Sequence, residues 1–241
     1  GFQKNIPYPD NQKLREMIKP IWNICEKFGV SIGFHSGSGK SAENYQVAGE
    51  VTRGNLEIKT SGRYTYEMGV ALYHSTDLYD QKLWHDWHNF TVELTTNGCF
   101  AEDPTERKMA RAFVSLTLDE ASAEKAFSSL EDCRSLLRGL EPSPDHFFWF
   151  EYNFLYVLAK GGATDKEVLG DHSAAGYKQR QRFYAISEEG RLLYAKRVAE
   201  YILFLAESTS LVQSEICKRA RTELGGIHLF SDFLDSITRL D

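Results

Sequence analysis

The sequence predicts an α/β protein: a barrel-like array of β/α units, incomplete in its clear strands, followed by a largely helical C-terminal portion. Three observations carry this. Residues 14–28 show an apolar stripe at helical spacing. Two short strand-like runs, at 30–34 and 55–60, are separated by a short helical segment. The later apolar residues recur mostly with a period near 3.6. The whole chain, 1–241, is read as one domain, with residues 1–75 carrying the β/α units and the motifs, and 76–241 forming the helical remainder.

In chain order, Leu14, Met17, Ile18, Ile21, Trp22, Cys25 and Phe28 form the first helical stripe, interrupted by Pro20 and stopped at Gly29. Val30 to Phe34 reads as a short buried strand, leaving into the polar loop His35-Ser36-Gly37-Ser38-Gly39-Lys40-Ser41. A short helix carries Tyr45, Ala48 and Val51 and ends at Gly54. Asn55 to Thr60 is the second strand, and Ser61-Gly62 turns into a helix carrying Tyr64, Met68, Ala71 and Leu72. This β-loop-α-β-loop-α order is the repeating unit of parallel α/β folds. Further on, Ala126, Phe127, Leu130, Cys133 and Leu137 read as one stripe. Leu192 to Ala206 and Leu229 to Ile237 form two more. Phe147 to Ala159 is apolar and aromatic throughout, so periodicity leaves helix and strand open there. A complete eight-stranded barrel needs about 250 residues and a strand in every β/α unit. The missing strands are therefore sought near Val92, Phe113 and Tyr184.

The 241 residues are 42% hydrophobic and 26% charged, an ordinary globular composition that excludes a disordered or collagen-like chain. No apolar run is long enough to span a bilayer, so no membrane partner is expected. With 34 acidic against 28 basic residues the net charge is −6, which argues against nucleic acid as a partner. Cys25, Cys99, Cys133 and Cys217 are scattered without a metal-ribbon spacing, and read as reduced thiols. The polar N-terminus shows no secretory leader, and a cytoplasmic location is expected.

The chemistry is expected at the strand ends, because parallel α/β folds present their reactive groups at the carboxyl edge of the sheet. His35 there can bind a metal or move a proton. Ser36, Ser38 and Lys40 can hold a carboxylate or phosphate, and the small residues allow close approach. A phosphate-binding P-loop is excluded, because the glycine required four residues before Gly39-Lys40-Ser41 is replaced by Phe34. Lys59-Thr60-Ser61-Gly62 ends the second strand and brings Lys59 to the same rim, either to bind an anionic group or to carry a proton. Glu67, in the following helix, is a further candidate. Asp171-His172 offers an imidazole beside a carboxylate that could orient it. In Trp84-His85-Asp86-Trp87-His88 the histidines lack the HExxH pattern, and a polar helix face with two half-buried tryptophans is the reading. His146 stands without partners, and Lys178, Arg180 and Arg182 read as a solvated basic face.

The pairing of a strand ending in His35-Ser36-Gly37-Ser38 and Lys40 with one ending in Lys59-Thr60-Ser61-Gly62, followed by His172-x-x-x-Gly176, resembles the tagaturonate/fructuronate epimerase family. The likeness covers residues 12–75 and 172–206. Gly39 stands where that family usually has an acidic residue, and Ser41 replaces an aromatic. The resemblance implies a TIM-barrel fold and a metal-dependent isomerase of hexuronate breakdown, with this chain as its C-terminal part or a diverged relative. It implies a divalent cation (Zn, Mn, Ni or Fe) held by His35 and His172. Lys59 and Glu67 would be catalytic, and Ser36, Ser38, Lys40 and Thr60 would bind a sugar-acid substrate. A homo-oligomer is the expected assembly. A non-catalytic carbohydrate-binding or assembly module is the alternative, and a sugar isomerase of another barrel family is a third reading.

In a 2-keto hexonic acid the inverted carbon, C4, is not adjacent to the C2 carbonyl, so simple enolisation cannot invert it. Retro-aldol cleavage of C3–C4, rotation of the aldehyde and re-addition can. Transient oxidation at C4 would need a nicotinamide, and no GxGxxG is present.

Overall fold

A computed structural model describes residues 7–35, 37–158 and 174–238. Helix α1 (Asn11–Phe28) is followed by β1 (Ile32–Phe34), α2 (Ala42–Thr52), β2 (Leu56–Ile58) and α3 (Ser61–His74). Next come α4 (Leu78–Cys99), α5 (Pro104–Ser115), α6 (Glu120–Ala126), α7 (Leu130–Arg138) and α8 (Phe147–Leu158). The order closes with α9 (Ala174–Tyr184), α10 (Glu188–Ser208), α11 (Ser214–Gly225) and α12 (Phe230–Thr238).

The barrel expectation is overturned. Among the described residues the sheet is a single parallel pair, β1 beside β2, and everything else regular is α-helix. The three segments where further strands were sought are helical: Val92 lies in α4, Phe113 in α5 and Tyr184 at the end of α9. Local chemistry explains two of them. Asp77 accepts from the amides of Tyr79 and Asp80 at 2.8 and 3.3 Å, and Asp103 from those of Thr105 and Glu106 at 2.7 and 2.9 Å. These are N-caps that start helices before any strand can form. The aromatic run at 147 resolves the same way, with Phe148, Tyr152 and Tyr156 buried at four-residue spacing on α8. The stripe read across 126–137 is broken by Ser129, whose Oγ accepts from Asp132 N at 3.0 Å and starts α7 anew.

The chain divides into two compact units, one from residues 1–64 and 195–241, the other from 65–194. In the first, Asp10 caps α1 by accepting from Lys13 N at 2.9 Å. Gly29 ends the helix with φ +66°, a left-handed conformation that suits glycine. Leu14, Ile18 and Trp22 of α1 pack on Val47, Ala48 and Val51 of α2 and on Ile32 of β1. The strands pair as Ile32 with Leu56, Gly33 with Glu57 and Phe34 with Ile58. The predicted β-α-β order therefore holds here, as an isolated unit rather than as part of a barrel. Thr209, just past α10, lies on Gly49 of α2.

The second unit centres on α4 and a cluster of aromatic rings. Trp149 meets Trp84, Trp87 and Tyr66 at centroid distances of 5.0, 5.6 and 5.8 Å. Trp84 and Trp87 are fully buried rather than half-buried, and Trp87 Nε1 donates to Asn153 O at 2.8 Å. Gly69 of α3 makes room, since a β-carbon there would land on the Trp149 ring. His88 is buried and its Nε2 lies 2.8 Å from His146 Nδ1, a pairing the sequence did not suggest for His146.

That pair makes stability pH-dependent. Burial pushes His88 down to about 3, with His146 and His85 adding to the effect, and burial lowers His146 as well. The unfolded chain, where histidine titrates near about 6.5, thus takes up protons before the folded one does. Stability is full above that value and falls as pH drops towards 3, by about 1.4 kcal/mol per pH unit for His88 alone. Urea midpoints measured from pH 7 to 4 are expected to fall less steeply in His88→Gln than in the parent. Parallel slopes would show that His88 does not carry the effect.

Candidate functional site

Register builds the site. Because Phe34 pairs with Ile58 in a parallel sheet, the next residues, His35 and Lys59, leave the same edge side by side. Lys59 N donates to Phe34 O at 3.1 Å, which carries the pairing one step past the strands. At the side-chain level Lys59 Nζ lies 3.2 Å from His35 Nε2. The two groups border an open cleft of about 310 Å³, lined also by Gly33, Phe34, Glu57 and Ile58. A lysine ammonium has only donors, so in this contact the imidazole accepts at Nε2.

The remaining expected residues take other places. Ser38 and Lys40 are buried, at 3% and 6% exposure, and do not line the cleft. Tyr45 pins their loop: its hydroxyl donates to Gly37 O at 2.7 Å and accepts from Lys40 N at 3.3 Å. Gly37 sits so close to Ile58 that a β-carbon would collide with it. Burial lowers the Lys40 pKa from its ordinary value. Thr60 is buried at the start of α3, its carbonyl accepting from Arg63 N at 2.8 Å. Glu67 is a buried residue of the second unit and is not part of the cleft lining. Ser36 and His172 lie outside the described residues.

The sequence reading missed Glu57, a carboxylate that also lines the cleft and accepts from Ser31 Oγ at 3.1 Å. Its signal was the period of two: Glu57 alternates with Leu56 and Ile58 and so takes the opposite face of β2. It also missed the environment of Arg182, which is not a loose basic residue but pairs with Asp86 and donates to Tyr156 Oη at 2.5 Å.

A structural or catalytic metal site needs three or more converging donors. Among the described residues no group of three His, Cys, Asp or Glu side chains comes together. Among the described residues lining the cleft His35 is the one imidazole, and its Nε2 faces an ammonium. The described residues therefore do not fit a divalent cation. The loop also spells Gly37-x-Gly39-x-x-Ala42 between a parallel strand and a helix, the frame of a dinucleotide-binding turn. Its amides are in part already partnered: Lys40 N by Tyr45 Oη, and Asn44 N by Ser41 Oγ at 3.2 Å. Such a loop would need those donors for a pyrophosphate.

No helix among the described residues is long and apolar enough to cross a membrane. Comparison with family models, with curated proteins and with solved structures found no significant match.

Proposed function

We propose that the carboxyl edge of β1 and β2 binds a ketohexuronic acid, tagaturonate or fructuronate, and inverts its C4 centre by retro-aldol and aldol chemistry. The observation that carries this reading is the 3.2 Å contact between Lys59 Nζ and His35 Nε2 at the lip of the cleft. The order of the three sequence motifs supports the substrate class.

The pair suits an anionic polyol. The substrate carboxylate draws the Lys59 ammonium off the imidazole by charge pairing. This releases the lone pair on His35 Nε2, which takes the C4 hydroxyl proton. The C3–C4 bond breaks, its electrons pass to the C2 carbonyl oxygen, and Lys59 stabilises that developing charge. The aldehyde at C4 rotates, C3 re-adds to its other face, and the imidazolium returns the proton to the new C4 oxygen. Atoms and charge balance without an added reactant. Glu57 is placed to accept from substrate hydroxyls. In this reading His35 acts as a base, and a cation enters only through His35 together with His172.

The test is NMR detection of product from tagaturonate and from fructuronate, with chelator and with added divalent ions. Wild-type interconversion in chelator, reduced about 100-fold or more in His35→Ala, is the expected result. Turnover only with metal would return His35 to the ligand role. No interconversion under either condition, or an unchanged His35→Ala rate, overturns the epimerase reading. Saturable binding without turnover would instead mark a carbohydrate-binding module.

A further inference from the structure

Helix α1 carries a second apolar stripe besides the one it buries. Met17, Ile21, Ile24 and Phe28 are 38%, 53%, 61% and 71% exposed, against 0–4% for Leu14, Ile18 and Trp22. At about 100° per residue the four exposed residues fall within one narrow strip, beside the buried one. Their spacing is four, three, four, the seam of a coiled coil. We propose that this strip is a self-association surface, on which α1 packs antiparallel against α1 of a second copy of this chain.

A second copy is the occupant because the strip is complementary to itself. A spacing of four, three, four reads the same in both directions. An antiparallel partner therefore sets Met17 against the partner's Phe28 and Ile21 against the partner's Ile24, and the reverse, as a two-fold interface demands. Charge agrees with this alignment. Glu16 and Lys27 flank the strip on one side and stand eleven residues apart, the same interval as Met17 and Phe28. The antiparallel pairing brings each Glu16 alongside the partner's Lys27, twice over. A parallel pairing would put the two flanks on opposite sides of the seam, where Glu16 and the partner's Lys27 cannot meet. Pro20 lies on that same polar flank, to the side of the seam, and presents no long side chain to block approach. One seam of this length belongs with the weak, transient interfaces, so dissociation in the micromolar range is expected.

Sedimentation equilibrium of the full chain tests this, from about 5 to 500 μM, a range that brackets such affinities. A reversible monomer–dimer equilibrium is expected. Ile24→Asp, on an exposed position, is expected to leave the helical circular dichroism unchanged and the chain monomeric throughout. Glu16→Lys and Lys27→Glu are each expected to weaken the dimer several-fold, and the double swap to restore it, which a merely structural role of either residue would not produce. A monomer across the whole range overturns the proposal. So does a dimer that survives Ile24→Asp, or one indifferent to the charge swaps. None of these outcomes depends on the epimerase reading, which is measured by turnover.

Discussion

Asp80→Ala is expected to cost the second unit about 3 to 5 kcal/mol, because in a buried place both Ser187 donors lose their acceptor and Ser75 Oγ keeps only Glu189 Oε2 at 3.3 Å. Asp80 has no exposure. Its Oδ1 accepts from Ser187 N at 2.9 Å; its Oδ2 accepts from Ser187 Oγ at 2.5 Å and Ser75 Oγ at 2.8 Å. The carboxylate thus ties the start of α4 and the turn before it to the turn before α10, a link spanning 107 residues of chain. Gly190 belongs to the same lock, since a β-carbon there would collide with Oδ2. Glu189 adds a second tie by accepting from Thr76 N at 3.0 Å. Asp80→Asn keeps the shape: its Oδ1 can still accept from Ser187 N and its amide can donate to the Ser187 and Ser75 hydroxyls, so it should recover part of the loss. Asp77→Ala removes only a half-buried cap and should cost about 1 kcal/mol. Three of the four tryptophans, Trp84, Trp87 and Trp149, lie in this unit, so urea unfolding followed by fluorescence reports on it. A loss below about 1 kcal/mol in Asp80→Ala would show that the carboxylate is not the lock.

The second large effect is expected in the other unit, at Gly49→Ala. In an exposed helix this change would stabilise by about 1 kcal/mol. Here the new β-carbon points at the Thr209 backbone, coming within 2.8 Å of its Cα and closer still to its carbonyl. Backbone cannot swing aside as a flexible side chain can, so α2 or the end of α10 must shift. Overpacking of this kind costs about 1 to 3 kcal/mol, with the upper end expected for a backbone collision. Gln46→Ala, on the exposed side of the same helix, should be neutral or mildly stabilising. Hydrogen exchange of α2 amides distinguishes the two: protection should fall sharply in Gly49→Ala and stay at the parent level in Gln46→Ala. Equal protection in both would mean that Thr209 does not pack on Gly49.

The site was legible where it depended on neighbours in sequence. His35 and Lys59 each follow an apolar run that ends in small polar residues, which places both at strand ends. Parallel pairing then makes them neighbours. Ser38 and Lys40 were less legible. Their composition suggests a ligand loop, but the Tyr45 hydroxyl turns that loop inward, and nothing about residue 45 as a letter announces this. The surroundings of Glu67 were not legible for the same reason: a helical position gives a face, not a destination. The barrel was lost because strands at 92, 113 and 184 were sought to complete a fold rather than read from local signals. The capping aspartates at 77 and 103 were the local signals, and they pointed to helix.

The sequence by itself determined the local elements: helical periods, caps, the two short strands and the groups that leave their ends. These follow from side-chain spacing and short-range hydrogen bonds, which act within a few residues. Only the tertiary structure decided that the β-α-β unit stands alone, that the two ends of the chain share one unit, and that Asp80 meets Ser187 while Gly49 meets Thr209. Those outcomes rest on burial and close packing between segments far apart in the chain, and pairwise fit of that kind has no local pattern to betray it.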